Sequence, residues 1–167
     1  RQDIVAMNPE TRLQENIGDC RIMGLELELK VRPLDRWAIW ASWGFREPRI
    51  ESFVGYPELE GNRIPGISDH TVTGGTSVEL GLGFRLGAEV RFISESYGNE
   101  QNSFVLPAYV LVDAWLSWRW RDSLEIAIYG KNLLDWEYYT AVFNRVRNGS
   151  AFAGTPLTVG VTANLRF

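Results

Sequence analysis

The chain has 167 residues, 45% hydrophobic and 13% aromatic, with 7 Trp, 16 Gly and a formal net charge of −4. That length can bury one core, and the mild acidity excludes a nucleic-acid surface, which would show as a clustered basic excess. No run reaches the roughly 18 apolar residues of a membrane-spanning helix, but a barrel strand needs only about 9–11 residues in alternation.

Arg1 opens the chain without an initiator Met, and no charged-then-apolar leader follows it. A fragment is therefore expected. A short stretch from Ile4 to Met7 is the first candidate strand. Cys20 is the lone cysteine and cannot form an internal disulfide, so it reads as a small semi-polar residue near a strand start.

From Met23 the pattern is period two. Met23, Leu25, Leu27, Leu29 and Val31 occupy one parity, and Glu26, Glu28, Lys30 and Arg32 the other. A helix would scatter those charges, whereas a strand collects them on one face. Trp37, Ile39, Ala41, Trp43 and Phe45 then oppose Arg36, Ser42, Gly44 and Arg46, with Trp40 breaking the pattern. Val72, Val78, Leu80 and Leu82 oppose Thr71, Thr73, Ser77 and Glu79; Leu86, Ala88, Val90 and Phe92 oppose Arg85, Glu89 and Arg91.

Further on, Val110, Val112, Ala114, Leu116, Trp118 and Trp120 oppose Tyr109, Asp113, Ser117 and Arg119. Leu124, Ile126 and Ile128 oppose Glu125 and Tyr129. The chain ends with Leu157, Val159, Val161, Ala163, Leu165 and Phe167 against Thr158, Thr162, Asn164 and Arg166. About eight strands match the template.

Connections of two kinds alternate strictly. Tight ones are expected at 33–35, 83–84 and 121–123. Long ones, rich in Gly, Asn, Pro and charge, are expected at 8–19, 47–69, 97–107 and 136–154. An antiparallel up-and-down meander then puts every long loop at one end, as in outer-membrane barrels with short periplasmic turns.

Alternation alone does not say which face meets lipid, because a lipocalin-like soluble barrel has an apolar interior. Three features favour an apolar exterior. The apolar faces are nearly free of charge over the length of a hydrocarbon core, where a Lys or Arg costs roughly 2–4 kcal/mol at mid-depth. Aromatics gather near run ends: Trp37, Trp118, Trp120 and Phe167 by the tight turns, and Trp43, Phe45, Tyr138 and Tyr139 by the long loops. Such rings suit the headgroup level. The opposite face carries both charge signs, suited to a polar lumen.

Three segments, LPAYVLVDAWLSWRW (106–120), LEIAIYGKNLLDWEYY (124–139) and GTPLTVGVTANLRF (154–167), carry a family likeness. They resemble the C-terminal barrel of TonB-dependent outer-membrane receptors, especially the ferric-siderophore branch. GLELELKVRP (24–33) and GNRIPGISDHT (61–71) are similar to earlier passages of that barrel, in the family's order. Leu157 stands where the family often has Arg, and Ser68 or Asp69 where a second Pro is common. The resemblance implies an antiparallel transmembrane barrel of about 22 strands, preceded by a plug and a TonB-contacting segment, with residues 1–167 forming its C-terminal part. It also implies four partners: outer-membrane lipid, the barrel-assembly machinery, the TonB complex through an N-terminal region not visible here, and a ferric siderophore or similar small ligand.

Several residues acquire roles from the same resemblance. Asn132 and Asp135 flank a strand end, where Asx side chains bond local backbone and start a loop. Val159, Val161, Ala163, Leu165 and Phe167 resemble the terminal signal read by the assembly machinery, and Phe167 is equally an interface anchor. Arginines and aromatics of siderophore receptors meet an anionic, often aromatic ligand through charge and cation–π attraction. Arg49, Tyr56, Arg63, Tyr97, Tyr138, Arg145 and Arg147 are the candidates, against the plainer reading of loop decoration.

No catalytic constellation, resident cofactor or metal site is expected. His70, the single histidine, has no second histidine for a metal pair and reads as solvated or hydrogen-bonded. Glu26 and Glu28 share a face with Lys30 and Arg32, so ion pairing in the lumen is preferred to acid–base chemistry. Gly81, Gly83 and Gly87 loosely mimic a nucleotide fingerprint but straddle a tight turn with no following helix. Two readings stay open beside the receptor: a complete eight-stranded outer-membrane barrel with a structural or adhesive role, and a soluble lipid-carrying barrel.

Overall fold

The computed structural model describes residues 2–7, 14–121, 123–143 and 150–166. The strands, in chain order, are β1 (Gln2–Met7), β2 (Gln14–Leu34), β3 (Trp37–Phe53), β4 (His70–Gly81), β5 (Phe84–Ile93), β6 (Ser96–Tyr97), β7 (Val105–Leu106), β8 (Tyr109–Trp120), β9 (Leu124–Lys131), β10 (Tyr139–Phe143), β11 (Ser150–Ala153) and β12 (Thr158–Leu165). Eight of them form one antiparallel sheet in the order β1-β2-β3-β4-β5-β8-β9-β12. The pairs β6–β7 and β10–β11 are small hairpins within two of the long connections. Among the described residues β1 and β12 are free edges, so the sheet is an open wall.

Registers place every apolar run on one face. Leu25, Leu27, Leu29 and Val31 lie opposite Phe45, Trp43, Ala41 and Ile39. Leu86, Val90 and Phe92 lie opposite Leu116, Val112 and Val110, and Val161 faces Ile128. These side chains are not gathered into an enclosed core: Leu27 is 55% exposed and Val161 66%. A continuous apolar surface of this extent is untenable in water and natural against acyl chains. The soluble carrier would need the same residues packed together inside, and they are not.

The polar face pairs its charges. Glu28 and Lys30 approach to 3.2 Å, as the shared parity of β2 predicts, and Glu79–Arg85 and Glu89–Arg91 each to 2.7 Å. Trp40 belongs to this face. Its ring lies over Gly75, its direct cross-strand partner, and Trp115 lies likewise over Gly87. The two indoles meet with centroids 6.3 Å apart.

The tight connections sit slightly off their expected places. Pro33 is still within β2 and the first turn is Asp35–Arg36; the second is Leu82–Gly83 rather than 83–84. Both Leu82 and Gly83 have positive φ (52° and 84°), the two-residue turn whose twist matches its flanking strands. A Cβ on Gly83 would meet the Arg119 carbonyl oxygen at 2.1 Å. Position 122 of the third turn lies outside the described residues.

Two long connections are shorter than expected. β2 begins at Gln14 and β3 runs to Phe53, so 14–19 and 47–53 are strand, not loop. The sequence REPRIESF looks like loop because it carries charge and proline. The ladder continues because this part of the strand has left the apolar band, and its charges face water. At about 3.3 Å per residue β2 is roughly 70 Å long, about twice what a spanning strand requires. On the sheet's other side Pro48 and Ile50 are fully buried.

A compact knot joins β8, β9 and the entry to β12. The Asp113 carboxylate accepts Asn132 N–H at 2.8 Å. The Asn132 side chain accepts Trp136 N–H at 2.9 Å and donates to the carbonyls of Trp136 and Thr155, each at 3.0 Å. Asp135 accepts Leu157 N–H at 2.9 Å. Asn132 and Asp135 both hold positive φ (49° and 48°), a conformation that Asn and Asp tolerate best after Gly.

Four substitutions test this architecture by denaturant unfolding of the protein in lipid. Leu27→Arg should cost about 2–4 kcal/mol, whereas Ser42→Arg, on the polar face, should be nearly neutral. Gly87→Val drives a side chain into the Trp115 ring and should cost about 1–3 kcal/mol. Asn132→Ala removes the side chain that bonds the Trp136 N–H and the carbonyls of Trp136 and Thr155, and should cost about 1–3 kcal/mol.

Candidate functional site

The long-loop end of the polar face carries a cavity of about 230 Å³ lined by Arg46, Ser68, Thr71, Tyr109, Tyr139 and Thr140, among others. Thr71 lies at the start of β4, Tyr109 opens β8, and Arg46 sits in β3 just past Phe45, the last residue of β3 that pairs with β4. Arg46 Nη2 donates to Thr71 Oγ1 at 3.2 Å, which aims the guanidinium along the wall into the cavity. One cation, several hydroxyls and two phenols suit an anionic, oxygen-rich or aromatic ligand. The cavity is smaller than the roughly 300–1,000 Å³ of common small-molecule sites.

The loops around it are tied to one another. The backbone of Arg63 gives its N–H to Asn102 Oδ1 (2.7 Å), and its carbonyl accepts from Asn102 Nδ2 (3.0 Å). Asn62 Nδ2 reaches the Glu100 carbonyl at 2.9 Å, and Gly66 N–H donates to the Tyr97 carbonyl at 2.7 Å. Connection 54–69 is thus held to connection 94–108. The 3₁₀ turn Pro57–Leu59 buries Leu59 beneath the first of these.

None of the described sequence candidates lines this cavity. Arg49 pairs with Glu47 at 3.2 Å and donates to the Gly61 carbonyl at 2.7 Å. Arg63 pairs with Asp69 at 2.6 Å. Tyr56 packs edge-on against Phe53, with centroids 5.8 Å apart, and Tyr97 is half-buried in β6. Tyr138 stacks on Tyr109 at 4.4 Å, its hydroxyl accepts Thr155 N–H at 3.2 Å, and its ring covers Gly154. That stacking also takes Tyr138 out of the lipid-facing aromatic belt, and Tyr139 lines the cavity instead. Arg145, Arg147 and Phe167 lie outside the described residues.

Of the site-lining residues, Arg46 and Tyr109 were missed as ligand candidates. The available signal was parity: both are on the charged face of their strands, next to a long connection. His70, by contrast, is on the apolar face between Trp43 and Phe45, and its Nδ1 accepts from Trp43 Nε1 at 3.3 Å. It is hydrogen-bonded within the upper aromatic belt.

The sequence profile described as "TonB dependent receptor-like, beta-barrel" matches residues 2–133. The pesticin receptor of Yersinia pestis is 27% identical over 99% of this chain, and the ferrichrome outer membrane transporter/phage receptor of Escherichia coli K12 is 26% identical over 90%. The chain spans about a quarter of the former's length and a fifth of the latter's (25% and 20%). Among solved structures, the ferric yersiniabactin uptake receptor FyuA of Yersinia pestis superposes with a TM-score of 0.82, at 21% identity, over 93% of this chain and 25% of its own. The siderophore receptor PiuA of Acinetobacter baumannii does so with a TM-score of 0.79, at 20% identity, over 98% and 24%. With its apolar face turned to lipid and its charges turned to the bore, the chain belongs to the TonB dependent receptor-like β-barrel family of the Gram-negative outer membrane.

Proposed function

We propose that residues 1–167 are the C-terminal wall of a TonB-dependent receptor that captures a ferric siderophore and passes it inward through a barrel of about 22 strands. The observation that carries this reading is the joining of Arg46, Tyr109 and Tyr139 in one cavity at the loop end of the bore, in a chain similar to siderophore receptors along nearly its whole length. The wall itself performs no bond chemistry. It supplies a rigid frame and one side of the ligand pocket, while energy-coupled release falls to a plug and the TonB complex. Val159, Val161, Ala163, Leu165 and Phe167 serve as the edge-strand signal for the assembly machinery, whose capture of a free edge is β-augmentation.

Growth tests address the substrate. A strain deleted for the whole gene, starved of iron and supplied with single defined ferric chelates, should lose growth on one chelate and regain it on complementation. Undiminished growth on every chelate would refute the siderophore assignment. In the purified full-length receptor, Arg46→Ala or Tyr109→Ala should weaken binding of that chelate by about tenfold, and Arg49→Ala by much less. Equal losses at all three would discredit the cavity as the site.

A further inference from the structure

The turn end of the polar face carries charge opposite in sign to the chain as a whole. Arg36, Arg85 and Arg119 line a cavity of about 250 Å³ with Glu79, Glu125 and Ser117. Arg166 lines an adjoining hollow with Arg119 and Glu125. Among the described residues, four guanidinium groups and two carboxylates line these two hollows, in a chain of net charge −4.

Each carboxylate occupies one arginine. Arg85 Nη2 is 2.7 Å from Glu79 and Arg119 Nη2 is 3.1 Å from Glu125, with the two arginine side chains 45% and 52% exposed. A guanidinium has five N–H donors, so each of these arginines is oriented by its glutamate and keeps donors for a second anion. Arg36 makes no ion pair among the described residues, and its turn is fixed by Glu79 N–H donating to its carbonyl at 2.8 Å. Buried Ser117 adds a hydroxyl to the cavity.

Spacing decides what kind of anion fits. From the turn before β3 to the end of β12 the row crosses five inter-strand gaps, or about 24 Å at roughly 4.8 Å each. A single small oxyanion touches one or two of these groups. An extended peptide of about seven residues covers the whole row. Because the short turns of such barrels face the periplasm, we propose that this rim is a docking strip for an extended acidic peptide segment on the periplasmic side. The inference is independent of which ligand the upper cavity takes.

The test uses the full-length receptor in detergent micelles and the fluorescence anisotropy of a labelled peptide alternating Glu and Gly. The Glu peptide should bind, and its Gln counterpart should bind at least about tenfold more weakly. Affinity should fall as NaCl rises from about 0.05 to about 0.3 M. Arg36→Gln should weaken binding about tenfold, Arg36→Lys should restore most of it, and Lys131→Gln, at the opposite end of the polar face, should leave it unchanged. Equal binding of the two peptides, or an Arg36→Gln variant that binds like the parent, would overturn the proposal. So would complete displacement by inorganic phosphate at constant ionic strength, which would mark a site for any small oxyanion.

Discussion

Inside a bilayer no water is present to satisfy a stray peptide N–H or carbonyl, and each unsatisfied group costs several kcal/mol. The sheet must therefore be continuous wherever it crosses lipid, and irregularities must lie elsewhere. The register shifts obey this. In the main sheet they fall between Ile4 and Val5, opposite residues 16–18 of β2, between Asp19 and Cys20, between Val31 and Leu34 and between Glu79 and Gly81, at or beyond the ends of the apolar runs. From Leu25↔Phe45 to Val31↔Ile39, and across β3–β4, β5–β8, β8–β9 and β9–β12, pairing proceeds one residue at a time. Because side chains alternate strictly along such a ladder, the same constraint that saturates the backbone also sorts apolar groups to lipid and charge to the bore.

Within the bore the limiting factor is space rather than polarity. Trp40 faces Gly75, Trp115 faces Gly87 and Tyr129 faces Gly160, each pair directly opposed across neighbouring strands. The glycine leaves a gap the width of a side chain, and the ring lies down into it; a Cβ there would come within 2.4 Å of ring carbons in every case. Slipping a strand by one residue would set Trp115 or Tyr129 against a side chain in place of its glycine and turn the apolar set inward. These pairs thus pin the register from the polar side while the apolar alternation pins it from the other, and they account for the large residues that interrupt an otherwise polar face.

Much of this was legible in the sequence because period two is a local signal. The strand set, the alternation of tight and long connections and the pairing of Glu28 with Lys30 all follow from parity read along one chain. The ends of β2 and β3 were not legible: charge and proline in REPRIESF signal loop whether or not a neighbouring strand is present to continue the ladder. Nor were the residues that line the upper cavity. Composition makes Arg49, Arg63 and Tyr138 attractive, and each meets a polar partner, Glu47, Asp69 and Thr155 in turn, that depends on tertiary placement. Arg46 looked like ordinary lumen charge until Thr71 and Tyr109 were brought beside it.

Several loop residues hold in place the ones that form the cavity. Tyr138 backs the Tyr109 ring, and Asn132 and Asp135 set the path that carries the chain from β9 to Tyr138 and on to the start of β12. Arg63 and Asn102 fasten one connection to the next through backbone groups, so the roof over Arg46 is bound to the wall on more than one side. A pocket built in this way holds its arginine and phenols in place before any ligand arrives, which lowers the ordering cost of binding. On the proposed function, selectivity then turns on what the remaining loops add to this preformed wall.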